Sequence, residues 1–218
     1  MKTSMALKTL LGAASMALPL MALAESNVST GVASPLTATA HVDFQIVIPR
    51  ILYLRIGTGT SYTTGVLAPA NPAVDLIVFN VPGASLSNGS SFAATAGGDA
   101  GLGVETAAIV GNGGNVTLVA TTAGAMTNGA AGQTIPYTQI TTTPTTITSG
   151  TALPAPTLAN GASNTVTVTA VNGVAFQDAK WTYAFANNLV PVPAAGTYGG
   201  GGPTNVNNGR VTYTASML

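Results

Sequence analysis

The chain has 218 residues with six Lys or Arg and six Asp or Glu, so charged side chains make up 6% of it, against roughly 25% in an ordinary globular protein. Its formal net charge is zero, which leaves no long-range field to steer nucleic acid, anionic lipid or a highly charged substrate. The absence of cysteine excludes disulfides, thiolate metal sites and cysteine nucleophiles.

In chain order, Lys2 and Lys8 come first, flanking the start of an apolar stretch from Leu10 to Leu20. Ala22-Leu23-Ala24 then supplies the small residues of a signal-peptidase site. Residues 1–24 therefore read as an export signal cleaved before Glu25. The remainder carries Arg50, Arg55, Lys180 and Arg210 against Glu25, Asp43, Asp75, Asp99, Glu105 and Asp178. It contains no run of the ~18 apolar residues that a membrane helix needs, and it is long enough to bury roughly 70% of its unfolded surface without covalent staples. Residues 25–34 read as a flexible N-terminal extension, and 35–218 as one domain.

The clearest strand is Leu36 to Ile48. Leu36, Ala38, Ala40, Val42, Phe44, Ile46 and Ile48 share one parity, while Thr37, Thr39, His41, Asp43 and Gln45 share the other. Alternating side chains of this kind give a strand one apolar face and one polar face. Pro49 ends the run and Ile51 to Ile56 resumes it, because proline cannot donate to a ladder. Asp75 to Val81 is apolar on both parities and reads as a central strand, or as one covered by a neighbouring subunit.

Further strands are predicted at Val104 to Val110, Asn115 to Thr122, Ile135 to Ile140, Thr165 to Val171, Lys180 to Ala186 and Arg210 to Ser216. Gly111-Asn112-Gly113-Gly114 reads as a hairpin loop. Asn172-Gly173 reads as a type I′ hairpin turn, whose two central residues need positive φ. Thr141 to Thr148 and Ala93 to Gly103 read as surface loops.

The resulting prediction is all-β: a single antiparallel β-sandwich of about nine to ten strands. Its core would hold Val42, Phe44, Ile46, Leu54, Leu76, Val78, Phe79, Leu118, Val166, Val168, Trp181, Tyr183, Phe185, Val211 and Tyr213. Trp181, Tyr183 and Phe185 share one parity and line up as an aromatic stripe of that core.

Chemistry is sparse. His41 is the single histidine, so one chain offers no two-histidine metal site and no HExxH motif. His41 and Asp43 share a strand face, but no G-x-S-x-G elbow accompanies them, and a solvated polar face is the simpler reading. Gly97 to Glu105 invites a calcium reading through Asp99 and Glu105. It lacks the dense Asp/Asn spacing of an EF-hand and reads instead as a glycine-rich loop ending at a strand. Gly57-Thr58-Gly59-Thr60 has no following lysine and is no phosphate loop. Nothing in the spacing of the six acids selects a glycosidase pair. No catalytic, cofactor-binding or metal-ligating residue is assigned, and the chain reads as non-enzymatic.

Near the C-terminus, Trp181-Thr-Tyr-Ala-Phe185 is followed by Val192-Pro-Ala-Ala-Gly196-Thr-Tyr198 and then by Gly209-Arg-Val-Thr-Tyr-Thr-Ala215. This order resembles the final strands of exported bacterial immunoglobulin-like sandwiches and is similar to fimbrial subunits. The resemblance covers the last quarter of the chain. It departs from chaperone-assembled subunits in lacking a cysteine pair and in placing Tyr213 away from the penultimate position. It implies assembly by strand exchange, with Ser26 to Ser34 and the Leu36 to Ile48 run as the donated strand.

The expected function is therefore an exported structural or adhesive surface protein that self-associates or joins other surface or matrix subunits. The alternatives are a monomeric module binding glycans through loop aromatics such as Tyr62, Tyr137 or Tyr198, a small outer-membrane barrel, and an exported hydrolase.

Overall fold

The computed structural model describes residues 26–57, 67, 70–202 and 204–217. The proposed export signal and cleavage site, Tyr62, and most of Gly57-Thr58-Gly59-Thr60 lie outside them. The chain divides into two units, Met1–Ile48 and Pro49–Leu218, each described by itself.

Within the first unit, residues 26–48 are exposed and enter no sheet. This corrects the sequence reading of Leu36 to Ile48 as a core strand. Val42 is 74% exposed, Phe44 90% and Ile46 85%. The alternation is present, but among the described residues this segment forms no strand.

The second unit is all-β and antiparallel, with ten strands and three short 3₁₀ turns among the described residues. The strands are β1 (Leu52–Ile56), β2 (Phe92–Ala93), β3 (Val104–Gly111), β4 (Val116–Thr122), β5 (Met126–Thr127), β6 (Thr134–Ile135), β7 (Ile140–Thr146), β8 (Val166–Val168), β9 (Ala175–Phe185) and β10 (Val211–Met217). One sheet runs β1-β3-β9, with β2 and β7 both pairing with the far end of β9. A second runs β10-β4-β8, and β5-β6 form a ribbon. The two larger sheets share one core cluster, in which Ala107 and Ile109 of β3 and Ala179 and Trp181 of β9 meet Val116 and Leu118 of β4 and Val168 of β8. Two antiparallel sheets closed over a common core are consistent with the expected sandwich.

β9 is the spine. Ala175, Ala179, Trp181, Tyr183 and Phe185 fall on its buried face. The Trp181 ring lies 5.4 Å from that of Tyr213 on β10, and its Nε1–H donates to the Leu153 carbonyl at 2.8 Å. The strand begins at Ala175, earlier than the predicted Lys180, because its one buried charge is locally satisfied. Asp178 accepts bonds from the Thr148 and Ser149 backbone N–H groups at 2.9 and 2.8 Å and from the Ser149 hydroxyl at 2.8 Å. Burial alone would raise this carboxyl, but the donors from Ser149 and Thr148 outweigh it and hold the pKa down at about 2.

Several expectations are corrected here. Most of the Thr141 to Thr148 stretch is a strand, β7, on the outer edge of the large sheet. Its threonines are β-branched, and an edge tolerates Pro144. The predicted Ile135 to Ile140 strand is instead the end of β6, a 3₁₀ turn at Tyr137–Gln139, and the start of β7. Asp75 to Val81 is no continuous strand: Val78 makes a single bridge to Ala96, and Leu76 is 48% exposed. The predicted Thr165 to Val171 strand shortens to β8.

Gly111 to Gly114 joins no hairpin. β3 pairs with β1 and β9, whereas β4 pairs with β10 and β8, so this connection crosses between sheets. Asn112 fixes the crossing by accepting from the Ile51 N–H at 2.7 Å and donating to the Pro49 carbonyl at 2.8 Å. At Asn172-Gly173 the expected turn forms, closed by one bridge, but β8 and β9 on either side of it belong to different sheets and do not pair as a hairpin. The φ values of Asn172 and Gly173 are 52° and 81°, and Val171 and Val174 exchange backbone bonds of 2.8 and 3.0 Å, the geometry of a type I′ turn.

Candidate functional site: an apolar groove between two edge strands

β1 and β10 are each the outermost strand of their sheet, and both line a groove of about 1290 Å³. The alternation of β1 turns Leu54 and Ile56 toward the core, as Tyr213 and Met217 turn from β10. The far wall is the segment around Leu76, Ile77 and Phe79, with the Phe79 ring 6.3 Å from that of Phe185. Tyr137, Tyr183 and Tyr213 contribute to the lining, and Pro193 to Gly200 borders it. The predicted aromatic stripe of β9 is thus divided in use: Trp181 is sealed in the core, while Tyr183 and Phe185 reach the groove.

The phenols are structural. Tyr183 and Tyr213 share a hydroxyl–hydroxyl hydrogen bond of 3.0 Å, and the Tyr137 hydroxyl donates to the Asn208 carbonyl at 2.6 Å. Burial, with a smaller push from Tyr213, raises Tyr137 to about 12. Burial chiefly, and the charge of Glu105, raise Tyr213 to about 12 against the lowering effect of its bond to Tyr183. Tyr183 is pushed well above its ordinary value, first by burial. All three remain neutral at physiological pH and supply no base.

One end of the groove is acidic. β3 turns Glu105 to the same side as Ala107 and Ile109, where it is 4% exposed. There its Oε2 and Asp75 Oδ2 crowd one point beside Gly57: a Cβ on that glycine would come within 2.1 and 2.4 Å of the two oxygens. Gly57 has φ +66°, so both the backbone and the space require glycine there. Asp99 is engaged elsewhere. It pairs with Arg55 at 3.2 Å and accepts the Thr106 N–H at 2.6 Å, while Arg55 Nε–H donates to the Gly57 carbonyl at 3.0 Å.

Of the two acids of the Gly97 to Glu105 calcium reading, the Asp99 carboxylate therefore pairs with Arg55 and the Thr106 N–H, while that of Glu105 meets Asp75. Among the described residues no group of three His, Cys, Asp or Glu side chains is placed to hold a metal ion. His41 and Asp43 stand in the exposed segment outside any strand. Of the loop tyrosines, Tyr137 is buried, and Tyr198 is half-buried at the groove margin with its hydroxyl on the Ala194 carbonyl at 2.9 Å. The Asp75–Glu105 pair escaped the sequence reading because its members are thirty positions apart. The available signal was an acid on the inward parity of an apolar strand.

Comparison with family models, with curated proteins and with solved structures finds no match to this chain.

Proposed function

We propose that the chain is a non-enzymatic, exported structural or adhesive subunit that assembles by β-strand addition, the groove of one copy receiving Leu36–Ile48 of another. The observation that supports this most is a complementarity within one sequence. The second unit leaves an apolar groove flanked by two outermost strands, and the first unit exposes a segment with the alternation of a half-buried strand.

An outermost strand presents a row of backbone groups ready to pair with an added strand. Leu36, Val42, Phe44, Ile46 and Ile48 lie on one parity of the segment. Each contributes about 1.5–3 kcal/mol on full burial, which together with new backbone bonds reaches the roughly 4–15 kcal/mol that association costs. The few charges leave little to desolvate at such a joint.

Sedimentation of the exported chain tests the proposal. Concentration-dependent linear oligomers are expected, and deletion of Leu36 to Ile48 should prevent them. A monodisperse monomer at all concentrations would contradict it.

A further inference from the structure

Glu105 Oε2 is buried, and among the described residues no donor satisfies it. The neighbouring group at that point is the carboxyl of Asp75. Glu105 is buried while Asp75 is exposed; two carboxylates at such an approach repel, whereas a proton on the buried Glu105 turns the repulsion into a hydrogen bond. Asp75 belongs to the segment that walls the groove, and that wall is held lightly. Among the described residues its backbone ties to the Thr95–Ala96 segment are the Val78 N–H to the Ala96 carbonyl at 3.0 Å and the Thr95 N–H to the Val78 carbonyl at 2.7 Å, with Ala96 N–H at 3.4 Å. Glu105, by contrast, sits on β3, which is paired on both sides.

We propose that a proton held between Asp75 and Glu105 locks the Val74–Val81 wall of the groove, and that its loss releases the wall and loosens the grip on an inserted strand. The first half concerns this chain alone; the second rests on the strand-addition reading above.

The charged and titratable groups facing Glu105 are consistent with such a lock. Asp75 approaches from the wall and Asp99 from the loop before β3, and Arg55 of β1 is paired with Asp99. Tyr183 of β9 and Tyr213 of β10 present phenols, which are neutral. Burial first, then the charge and hydrogen bond of Asp75, then the charge of Asp99, raise Glu105 to about 8, against a smaller lowering by a backbone bond from Asp99. An acid raised in the folded state contributes stability that is complete below its ordinary value of 4.5 and is lost as pH rises through about 8.

Amide exchange of Val78, Thr95 and Ala96 in the full chain, corrected for intrinsic rates, tests the lock from about pH 6 to about pH 9.5. Protection should fall at least about tenfold across this range in the wild type and stay level in Glu105→Gln, which keeps the shape and cannot ionise. Asp75→Asn is the parallel variant should Glu105→Gln fail to fold. Equal pH dependence in the wild type and the folded variants would overturn the proposal. So would protection that ignores pH and rises with added calcium, since a cation would then occupy the place of the proton. Oligomers read in the same samples should dissociate over the same range. Wall opening without any oligomer at either pH upholds the lock and contradicts strand addition, which separates the two claims.

Discussion

Phe44→Asp should abolish assembly while leaving the fold of the second unit unchanged. Phe44 is 90% exposed, so its replacement removes no packing within the described chain, and exposed substitutions of this kind shift stability by no more than about 0.5 kcal/mol. In a strand-addition joint the same residue is the largest side chain on the inserted apolar face. The aspartate forfeits about 1.5–3 kcal/mol of burial and places an unpaired charge among apolar groups. The joint should therefore weaken by on the order of 100-fold or more. Sedimentation compared with thermal unfolding separates the effects: oligomers lost at an unchanged melting temperature is the expected pair of results. Asp43→Asn, on the opposite parity, should leave assembly intact.

Trp181→Ala should produce the largest loss of stability in the chain. Trp181 is fully buried, bridges the two sheets through its contact with Tyr213, and carries the one side-chain bond to the Leu153 carbonyl. Truncating a buried tryptophan costs about 3–5 kcal/mol through lost transfer energy and residual cavity, a large fraction of the ~5–15 kcal/mol that holds a domain together. The melting temperature should fall by on the order of 10 °C. Trp181→Phe should cost less. It keeps much of the ring volume but leaves the buried Leu153 carbonyl without its donor, which is worth about 1–3 kcal/mol. Denaturant titrations of the three proteins check the order.

The second unit was largely legible in sequence because its core strands alternate cleanly. The inward parity of β9 and β10 and the inward positions Leu118 and Val168 follow from period-two spacing, and the turn at Asn172-Gly173 from the positive φ that these two residues tolerate. What misled was local pattern whose meaning depends on partners. Leu36 to Ile48 has the alternation of a strand, but alternation states that a face is apolar and not which molecule covers it. Asp75 to Val81 is apolar on both parities yet forms only one bridge, because one side of it borders the groove. The threonine run of β7 reads as a surface loop in sequence, and only its place beside β9 makes it an edge strand.

At the groove, sequence offered the aromatic stripe and the donor-like segment but not the acidic end. The meeting of Asp75 with Glu105 depends on Gly57 letting the chains approach closely, a distance relation that no spacing encodes.

Amide hydrogen exchange over Leu36–Ile48 in the assembled protein, compared with the same residues in dilute monomer, bears most directly on strand addition. Pairing with an outermost strand of a second copy predicts strong protection along this segment on assembly, lost again in Phe44→Asp. Oligomers in which Leu36–Ile48 exchanges as freely as in the monomer would contradict it.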